Sequence, residues 1–497
     1  MAAGTEAAPL SRRGFIAGGF AGLTVLAAPG FRGAATANVS DVMILGAGLA
    51  GLTAALMLEE AGLKVVVLEG DNRVGGRVFT SNEDEIPGHP EYGASGIGGH
   101  YAGVRHMADR FGVPLVRERP RTDPRKGELM YHVKGTGVRP EDWGASPVNP
   151  FSDERRRTIP LHSFQFLAAA EVENPLPIGD LEAWQNGTYG DYDISCYDFL
   201  KRRGVADPAI ELGAGTNMSY GTVARDLSVL MAMQSRNLIR SLYDGDGTFD
   251  RIPRAGDGGN QCIPEAMAGG LKSDILLGRH VTGIRSTREG VEAHTRNGRV
   301  YRARYCICTL PFSALRLVRI DPCLEGLQAE AVQSLGYTPV FQAHFAPIRK
   351  YWAMDGLPPS MWTDRSPGRF MALKNDPSNP DAVTSCMAFV NGAMALYLDR
   401  LDPDDAAALI LIDLGQMRPS TVGALKLLKT LSWNRNPFAG GAYAYWKPGQ
   451  ITRFSKRMRA PWHRIHFAGE HTAVLNRGME GAMESGERAA FEVMDRL

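Results

Sequence analysis

The spacing of apolar residues changes from a strand pattern to a helical pattern between residues 42 and 61. Residues 42–45 form a short continuous apolar run, which is typical of a buried parallel strand. Residues 52–61 place apolar side chains at helical spacing, and Gly62 ends that pattern. A second buried run, residues 65–68, follows and leads into Glu69. This order predicts a strand–helix–strand unit of an α/β fold.

Three glycines separate the first predicted strand from the helix. Gly46, Gly48 and Gly51 have the spacing G-x-G-x-x-G, which in this context is the Rossmann fingerprint of a dinucleotide site. The first glycine permits a tight turn, the second lets the backbone approach a pyrophosphate, and the third lets helix and strand pack closely. The helix N-terminus offers N–H groups to the phosphates. Glu69, after the next strand, can accept hydrogen bonds from a ribose.

The residues before this fingerprint have the pattern of an export signal and not that of a folded domain. Arg12, Arg13 and Phe15 precede an apolar stretch at residues 16–28, which is shorter than the roughly 20 residues that cross a membrane. Small residues follow, and residues 35–37 (Ala-Thr-Ala) are the expected cleavage site. The order predicts a twin-arginine signal peptide over residues 1–37 and a periplasmic location. No later segment is long and apolar enough for stable membrane insertion.

Composition narrows the class of protein. The 497 residues leave room for about two to four domains, and 44% hydrophobic with 22% charged residues excludes a disordered or coiled-coil chain. A net charge of +1 provides no field for nucleic acid. The six cysteines are too few for a disulfide scaffold. His463, His466 and His471 lack convincing ligand spacing, so no metal site is expected.

A second glycine motif follows the acidic residue. Arg73-Val74-Gly75-Gly76-Arg77 resembles the second fingerprint of FAD oxidoreductases, so the predicted cofactor is FAD. The two glycines let the chain pass close to the cofactor, and Arg77 can meet a phosphate or the flavin ring.

The C-terminal residues predict a second contribution to the same site. Residues 465–472 suggest a short strand that enters a turn at Gly469 and Glu470. Apolar or small residues then recur at helical spacing from Met479 onward. A helix N-terminus directed at a flavin stabilises the negative charge of the reduced ring. An ordinary amphipathic terminal helix is the alternative.

These C-terminal motifs carry a family resemblance. Residues 467–470, 478–482 and 485–490 resemble the signature of the flavin monoamine oxidase family, which includes monoamine, polyamine and L-amino acid oxidases. The resemblance implies an α/β fold in which a Rossmann-type FAD-binding domain is joined to a discontinuous α+β substrate-binding domain. The implied FAD domain comprises residues 38–118, 256–318 and 430–497, and the substrate domain comprises residues 119–255 and 319–429. The cofactor contacts expected from the fingerprints and the resemblance are Gly46, Gly48, Ala50, Gly51, Glu69, Gly70, Gly75, Gly76, Arg77, Ala94, Ser95, Val281, Gly469, Glu470, Gly478 and Met479.

The resemblance also implies a reaction, the FAD-dependent oxidation of an amine to an imine that hydrolyses to a carbonyl compound. The flavin-linking cysteine of covalent monoamine oxidases corresponds to Ala442, so FAD is expected to bind non-covalently. Tyr443 matches one wall of the family's aromatic cage, but the other wall is Gly478, which leaves room for a bulkier substrate. Trp433 matches a further aromatic residue near the flavin.

A second departure concerns the lysine that the family places near flavin N5. Val340 or Gln342 falls at its position, and His344 is a candidate polar substitute, against a buried core histidine. Re-oxidation by oxygen and by a protein such as a cytochrome both stay open, as does a homodimer. Residues 217–220 are candidates to line the pocket. The alternatives are a same-fold flavoenzyme that oxidises or desaturates a non-amine substrate, and a flavin-bearing binding protein.

Overall fold

A computed structural model describes residues 39–118, 127–161, 174–216, 219–243, 252–256, 258–376 and 378–497. The predicted signal peptide, residues 1–37, and the candidate pocket residues Asn217 and Met218 lie outside these ranges. From Val39 onward the described residues belong to one compact unit. Its strands, numbered β1 to β19 in chain order, include two large sheets.

The first sheet contains the predicted strand–helix–strand unit. β1 (Ser40–Leu45) and β2 (Val65–Leu68) are parallel neighbours connected by the helix Leu49–Glu60. Residues 42–45 of β1 are completely buried, as expected for a strand that is covered on both faces. The predicted α/β fold is therefore confirmed at the fingerprint.

Distant segments of the chain complete this sheet. Its other strands are β7 (Asp274–Leu276), β8 (Val281–Ser286), β9 (Val291–Thr295), β10 (Val300–Cys308), β11 (Arg319–Asp321) and β19 (Ile465–Phe467). The strand order is β11-β8-β9-β10-β1-β2-β7, and β19 pairs with β10. β1 lies parallel to β10, and β10 lies parallel to β19, so the carboxyl ends of strands from both ends of the chain meet at one edge. This edge is the usual ligand-binding side of a doubly wound sheet.

The second large sheet is mostly antiparallel. Its order is β17 (Leu425–Ser432), β13 (Val340–Pro347), β16 (Ser385–Asn391), β15 (Arg369–Leu373), β14 (Ser360–Thr363), β4 (Leu129–Val133) and β5 (Thr136–Val138). Two smaller sheets pair β3 (Leu115–Glu118) with β6 (Ile252–Ala255) and β12 (Gly336–Tyr337) with β18 (Ala444–Tyr445). The predicted substrate segments supply most strands of the second sheet, and the exact domain limits stay predictions.

Two of the α-helices, Leu49–Glu60 and Gly478–Met494, contribute residues to the cavity described below. None of those within the described ranges combines the length and hydropathy that a membrane crossing requires. Their bounds are Leu49–Glu60, Ala102–Arg110, Glu154–Arg157, Cys196–Arg202, Asp207–Thr216, Val229–Tyr243, Cys262–Gly269, Phe312–Leu315, Gly326–Ser334, Tyr351–Asp355, Gly392–Leu398, Pro403–Met417, Gln450–Phe454 and Gly478–Met494.

The last helix crosses the helix that follows the glycine loop. A Cβ atom on Gly486 would stand 2.3 Å from the carbonyl oxygen of Ala50, so the two backbones approach more closely than any side chain allows. Met479, Met483, Ala489, Ala490 and Val493 of the last helix pack into the same core as the first helix. The C-terminal helix is therefore fixed against the fingerprint.

Candidate active site

A cavity of about 790 Å³ is lined by residues from both large sheets and from both ends of the chain. The predicted residues that line it are Gly46, Gly48, Ala50, Glu69, Gly70, Gly76, Arg77, Ala94, Ser95, Val281, Trp433, Tyr443, Gly469, Glu470, Gly478 and Met479. Gly51, Gly75 and His344 were also expected at the site, and they are not among the residues that line this cavity.

The glycine loop has the form that a pyrophosphate requires. Gly46 has a φ of +105°, and its N–H donates to the carbonyl of Leu68 at 2.8 Å. Gly48 precedes the helix without any side-chain cap, so the N–H groups of the first turn need partners. Gly48, Leu49 and Ala50 line the cavity. The uncapped helix start is therefore suited to an anionic diphosphate.

Gly51 and Gly75 act through packing. A Cβ atom at Gly51 would lie 2.0 Å from the carbonyl oxygen of Gly46, so only glycine lets the helix turn back on the loop here. Gly75 donates its N–H to the carbonyl of Ala47 at 2.8 Å and has a φ of +100°. The two glycines hold the loop in place, while their neighbours form the surface of the cavity.

Glu69 fastens the glycine loop to the second strand. Its carboxylate accepts the N–H of Ala47 at 2.7 Å and the N–H of Asp71 at 2.8 Å. Burial raises the pKa of Glu69, while these two hydrogen bonds oppose that rise. Each carboxylate oxygen keeps a further lone pair, so a hydroxyl in the cavity can still donate to Glu69. This arrangement fits the ribose of a dinucleotide.

Arg77 connects the second fingerprint to the C-terminal segment. Its Nη1 atom lies 3.1 Å from the carboxylate of Glu470 and donates to the carbonyl of Ala442 at 3.1 Å. Glu470 also accepts the N–H of Ala444 at 3.2 Å. The sequence placed Arg77 against a phosphate or the flavin ring, whereas the structure shows its guanidinium engaged with protein groups at the edge of the cavity.

The C-terminal helix begins at the cavity. Gly478, Met479 and Ala482 line it, and Glu480 accepts the N–H groups of Gly103 and Val104 at 2.8 and 3.1 Å. Glu480 therefore caps the helix Ala102–Arg110 with a negative charge at its N-terminus. The contact fixes the start of one helix against the start of the other.

Two tyrosines form a wall of the cavity. The hydroxyl of Tyr443 donates to the carbonyl of Ser219 at 2.5 Å, and the ring of Tyr220 meets Tyr443 edge-on with centroids 5.2 Å apart. Burial raises the pKa of both tyrosines, so both stay protonated at neutral pH. Because the rings are in direct contact, no amine fits between them, and Tyr220 supports Tyr443 from the side.

Tyr101 occupies the space next to Gly478. A Cβ atom on Gly478 would lie 3.1 Å from the hydroxyl oxygen of Tyr101, and both residues line the cavity. Gly478 also has a φ of +60°, a conformation that glycine adopts without strain. Position 478 lacks an aromatic side chain, but the aromatic side chain of Tyr101, from the N-terminal segment, lies next to it.

Strand β13 carries the position of the absent lysine. Val340 and Gln342 both line the cavity. Gln342 donates to the carbonyl of Tyr92 at 2.9 Å, and its amide oxygen lies 3.0 Å from Nε2 of His344. His344 is completely buried behind Gln342, with its ring 5.2 Å from that of Tyr92. His344 thus belongs to the core, and Gln342 is the polar residue at the cavity surface.

Several lining residues were not predicted from the sequence. Arg369 and Met371 of β15, Phe389 of β16 and Tyr101 belong to the lining. No local motif marks these positions, because their place in the cavity depends on the register between distant strands. Ser219 and Tyr220, which belong to the candidate segment 217–220, both line the cavity.

Comparison with known proteins agrees with this geometry. The sequence profile of the family described as flavin containing amine oxidoreductase matches residues 49–494. A flavin-containing amine oxidase of Danio rerio is 28% identical over 477 residues, covering 92% of this chain and 86% of its own length. The flavin-containing amine oxidase B of Homo sapiens is 26% identical over 482 residues, covering 93% and 87%. The structure of cyclohexylamine oxidase from Brevibacterium oxydans is similar in fold, with a TM-score of 0.73 and 20% identity over 92% of this chain and 99% of that one.

Proposed function

The chain belongs to the flavin-containing amine oxidoreductases, and we propose that its residues carry out FAD-dependent amine oxidation at the Tyr443 end of one continuous cavity. The observation that supports this proposal is that residues of the predicted cofactor site and Tyr443 line the same cavity. Residues of the glycine loop, the second fingerprint and the C-terminal helix start share the surface of that cavity with Tyr443. A dinucleotide laid along the loop would therefore extend toward the tyrosines.

The described residues that surround this end give it a mostly aromatic and apolar surface, which also contains Gln342 and Arg369. When bound, FAD accepts a hydride equivalent from the amine carbon, and the resulting imine is hydrolysed to a carbonyl compound. Tyr443, Phe389 and Trp433 exclude water, which lowers the pKa of an amine and favours its neutral, reactive form. The hydrogen bond to Ser219 holds the Tyr443 ring in one orientation. This positions the substrate without a dedicated base.

The cofactor is held without a covalent bond. Ala442 lines the cavity at the position of the family's flavin-linking cysteine, and the described lining contains no cysteine. The amides of the glycine loop, Glu69 and the C-terminal helix start provide the binding instead. Acid precipitation of the purified protein is expected to leave the yellow colour in the supernatant. Colour that stays with the precipitate contradicts a non-covalent cofactor.

Amine oxidation is tested by anaerobic mixing of the purified enzyme with a panel of amines. We expect at least one amine to bleach the flavin absorbance, and air to restore it. Bleaching by an alcohol or alkene, but by no amine, would identify a different substrate class in the same fold. Colour changes in this experiment report the reductive step before any acceptor is involved.

Export to the periplasm is a separate proposal, and it rests on residues 11–37. The arginine pair, the apolar stretch and the Ala-Thr-Ala site have the order of a twin-arginine signal. Replacing Arg12 and Arg13 together by lysine is expected to keep the protein in the cytoplasm of a bacterial host. Cell fractionation measures this, and an unchanged distribution contradicts the proposal.

A further inference from the structure

An exposed apolar surface lies at the end of the second sheet that is remote from the cavity. Ile348, Met354, Ile412 and Val422, which we call the apolar patch, are 61%, 58%, 57% and 64% exposed. Val340, the first residue of β13, lines the cavity, and Ile348 directly follows the last residue of the same strand. The eight residues of β13 span about 26 Å at about 3.3 Å per residue. The patch therefore lies well away from the reacting end.

Hydrogen bonds and close contacts bring three residues of the patch together. The N–H of Ile348 donates to the carbonyl of Ala424 at 2.9 Å, which joins the turn after β13 to the residues before β17. Val422 lies two positions before Ala424. A Cβ atom on Gly415 would stand 3.0 Å from Cγ2 of Val422, and Ile412 lies about one turn earlier on the same face of that helix. Ile348, Ile412 and Val422 therefore belong to one continuous surface.

Met354 reaches the same surface from the short helix that ends at Asp355. The carboxylate of Asp355 accepts the hydroxyl of Ser420 at 2.5 Å, and Ser420 lies two positions before Val422. This bond fixes the helix beside the turn that carries Val422. Exposed apolar side chains that cluster in this way inside a polar rim mark sites of contact with a protein or a membrane.

The rim of the apolar patch is positively charged. Arg349, Lys350 and Lys426 are exposed and directly precede or follow the segments that form the patch, and none of the three forms an ion pair with a carboxylate of the described residues. Asp355 is already paired with a buried arginine. The acidic residues 404–405 lie about two helical turns, or about 10 Å, before the patch. The rim therefore offers positive charge to an anionic partner.

A lipid bilayer fits this chemistry better than a protein does. Protein interfaces are enriched in aromatic residues and depleted in lysine, whereas the patch has no aromatic side chain and two of its three cations are lysines. A second copy related by a twofold axis would bring the same cations against each other. Anionic headgroups attract lysine and arginine at a membrane surface, and apolar side chains enter the boundary between headgroups and acyl chains.

We propose that the apolar patch and its three cations dock the protein on the surface of a bilayer that contains anionic phospholipids. The docking is peripheral, because single side chains enter the lipid and no helix crosses it. The cavity lies at the other end of β13, so the docked protein keeps its reacting end clear of the contact. This inference does not depend on amine oxidation, since it concerns a surface that takes no part in the reaction.

Sedimentation with sucrose-filled vesicles tests the proposal. The FAD-loaded enzyme is mixed with vesicles of phosphatidylcholine alone, or of phosphatidylcholine and phosphatidylglycerol in equal amounts. We expect the anionic vesicles to bind the enzyme at least about tenfold more tightly than the neutral ones, and added salt to weaken that binding. Equal binding to the two kinds of vesicle, or binding to neither, overturns the proposal.

Two double variants separate the charge from the apolar contact. Lys350→Gln with Lys426→Gln should weaken binding to anionic vesicles by about 10- to 30-fold, because each cation contributes about a fivefold increase in affinity. Ile412→Gln with Val422→Thr should weaken it by about tenfold or more while leaving the rim charge in place. Arg349 stays unchanged, because its guanidinium donates to the carbonyl of Val422 at 2.6 Å. Thermal unfolding and the flavin spectrum identify any variant that does not fold.

Matched variants outside the patch are the controls. Lys272→Gln with Lys456→Gln removes two exposed lysines from other segments, and Val39→Thr changes a valine that is 56% exposed. Both should bind anionic vesicles as the native enzyme does, and equal weakening by them overturns a specific role for the patch. All variants share the same N-terminal residues, so the ratios of their affinities report the patch alone. If the native enzyme ignores vesicles but forms a dimer that Ile412→Gln with Val422→Thr dissociates, the patch binds a second copy and the lipid proposal is overturned.

Discussion

Arg77 and Glu470 form an ion pair at 3.1 Å although 393 positions separate them in the chain. The same two side chains bind the backbone of Ala442 and Ala444, on either side of Tyr443. The second fingerprint, the strand segment that carries Tyr443 and the C-terminal turn therefore meet at one pair of charges. The distance between the cofactor loop and the reacting end depends on this pair.

We expect Glu470→Gln to destabilise the protein and weaken FAD binding. The glutamine can still accept a hydrogen bond, but the half-buried Arg77 loses its counter-charge, which costs about 3 kcal/mol of unfolding free energy. Urea unfolding of the apoprotein and quenching of FAD fluorescence measure the two effects. Glu330→Gln is the control, because its pair with Arg453 is largely exposed and contributes less than about 1 kcal/mol. Equal losses in both variants contradict the role of Glu470.

The close approach of Gly478 and Tyr101 gives a second prediction. Gly478→Ala places a side chain on a residue with a φ of +60°, at about 1–3 kcal/mol of strain, and crowds the Tyr101 hydroxyl. We expect slower flavin reduction by amines, measured by anaerobic stopped flow. Tyr101→Phe in the same protein should recover part of that rate, since it removes the crowded oxygen.

Gly356→Ala is the matched control for this prediction. Gly356 has a φ of +68°, and a Cβ atom there would meet nothing within 4 Å. Gly356→Ala introduces the backbone strain without a contact like that to Tyr101. It should therefore lose stability, while amines should reduce its flavin at the normal rate. If the rate of flavin reduction falls equally in both variants, backbone strain alone explains the effect and the contact with Tyr101 does not.

The sequence predicted the cofactor half of the site better than the substrate half. Gly46, Gly48 and Glu69 lie in one contiguous strand–helix–strand unit, so their spacing alone places them around a dinucleotide. Arg369 and Phe389 reach the cavity only through the pairing of β13, β16 and β15, which no local periodicity encodes.

His344 shows what a position on a strand leaves open. It lies on the same strand as Val340 and Gln342, and the sequence made it a candidate polar substitute for the absent lysine, against a buried core histidine. In the structure Gln342 and the ring of Tyr92 separate it from the cavity. Tyr92 belongs to the segment that follows the second fingerprint, which is distant from this strand in the sequence. A strand pattern identifies the face of a residue, but not what covers that face.

A buried ion pair far from the cavity predicts acid sensitivity. Arg418, which is 3% exposed, donates to both carboxylate oxygens of Asp355 at 2.7 and 2.8 Å. Burial alone would raise the pKa of Asp355, but Arg418 and Ser420 lower it well below its ordinary value. The stabilisation is therefore complete above the unfolded-state pKa of about 3.9 and is lost as the pH falls toward the folded-state pKa.

We accordingly expect the free energy of unfolding to decline below about pH 4, and Asp355→Asn to reduce that decline. At neutral pH the same variant should lose about 3 kcal/mol, because Arg418 is left buried without its partner. Urea unfolding at a series of pH values measures both effects. Parallel pH profiles for the native protein and the variant contradict the assignment to Asp355.

We expect oxygen reactivity to respond to the residue at position 342. A cation beside the reduced ring would stabilise the negative charge that moves to oxygen, and Gln342 provides none. We expect Gln342→Lys to accelerate re-oxidation of the photoreduced enzyme by air about tenfold, which corresponds to about 1.4 kcal/mol. Gln342→Met, which removes the amide without adding charge, should not accelerate it. The return of flavin absorbance in stopped flow measures the rate. If lysine has no effect while reduced cytochrome forms readily in the native enzyme, the acceptor is a protein and the glutamine is compatible with its normal turnover.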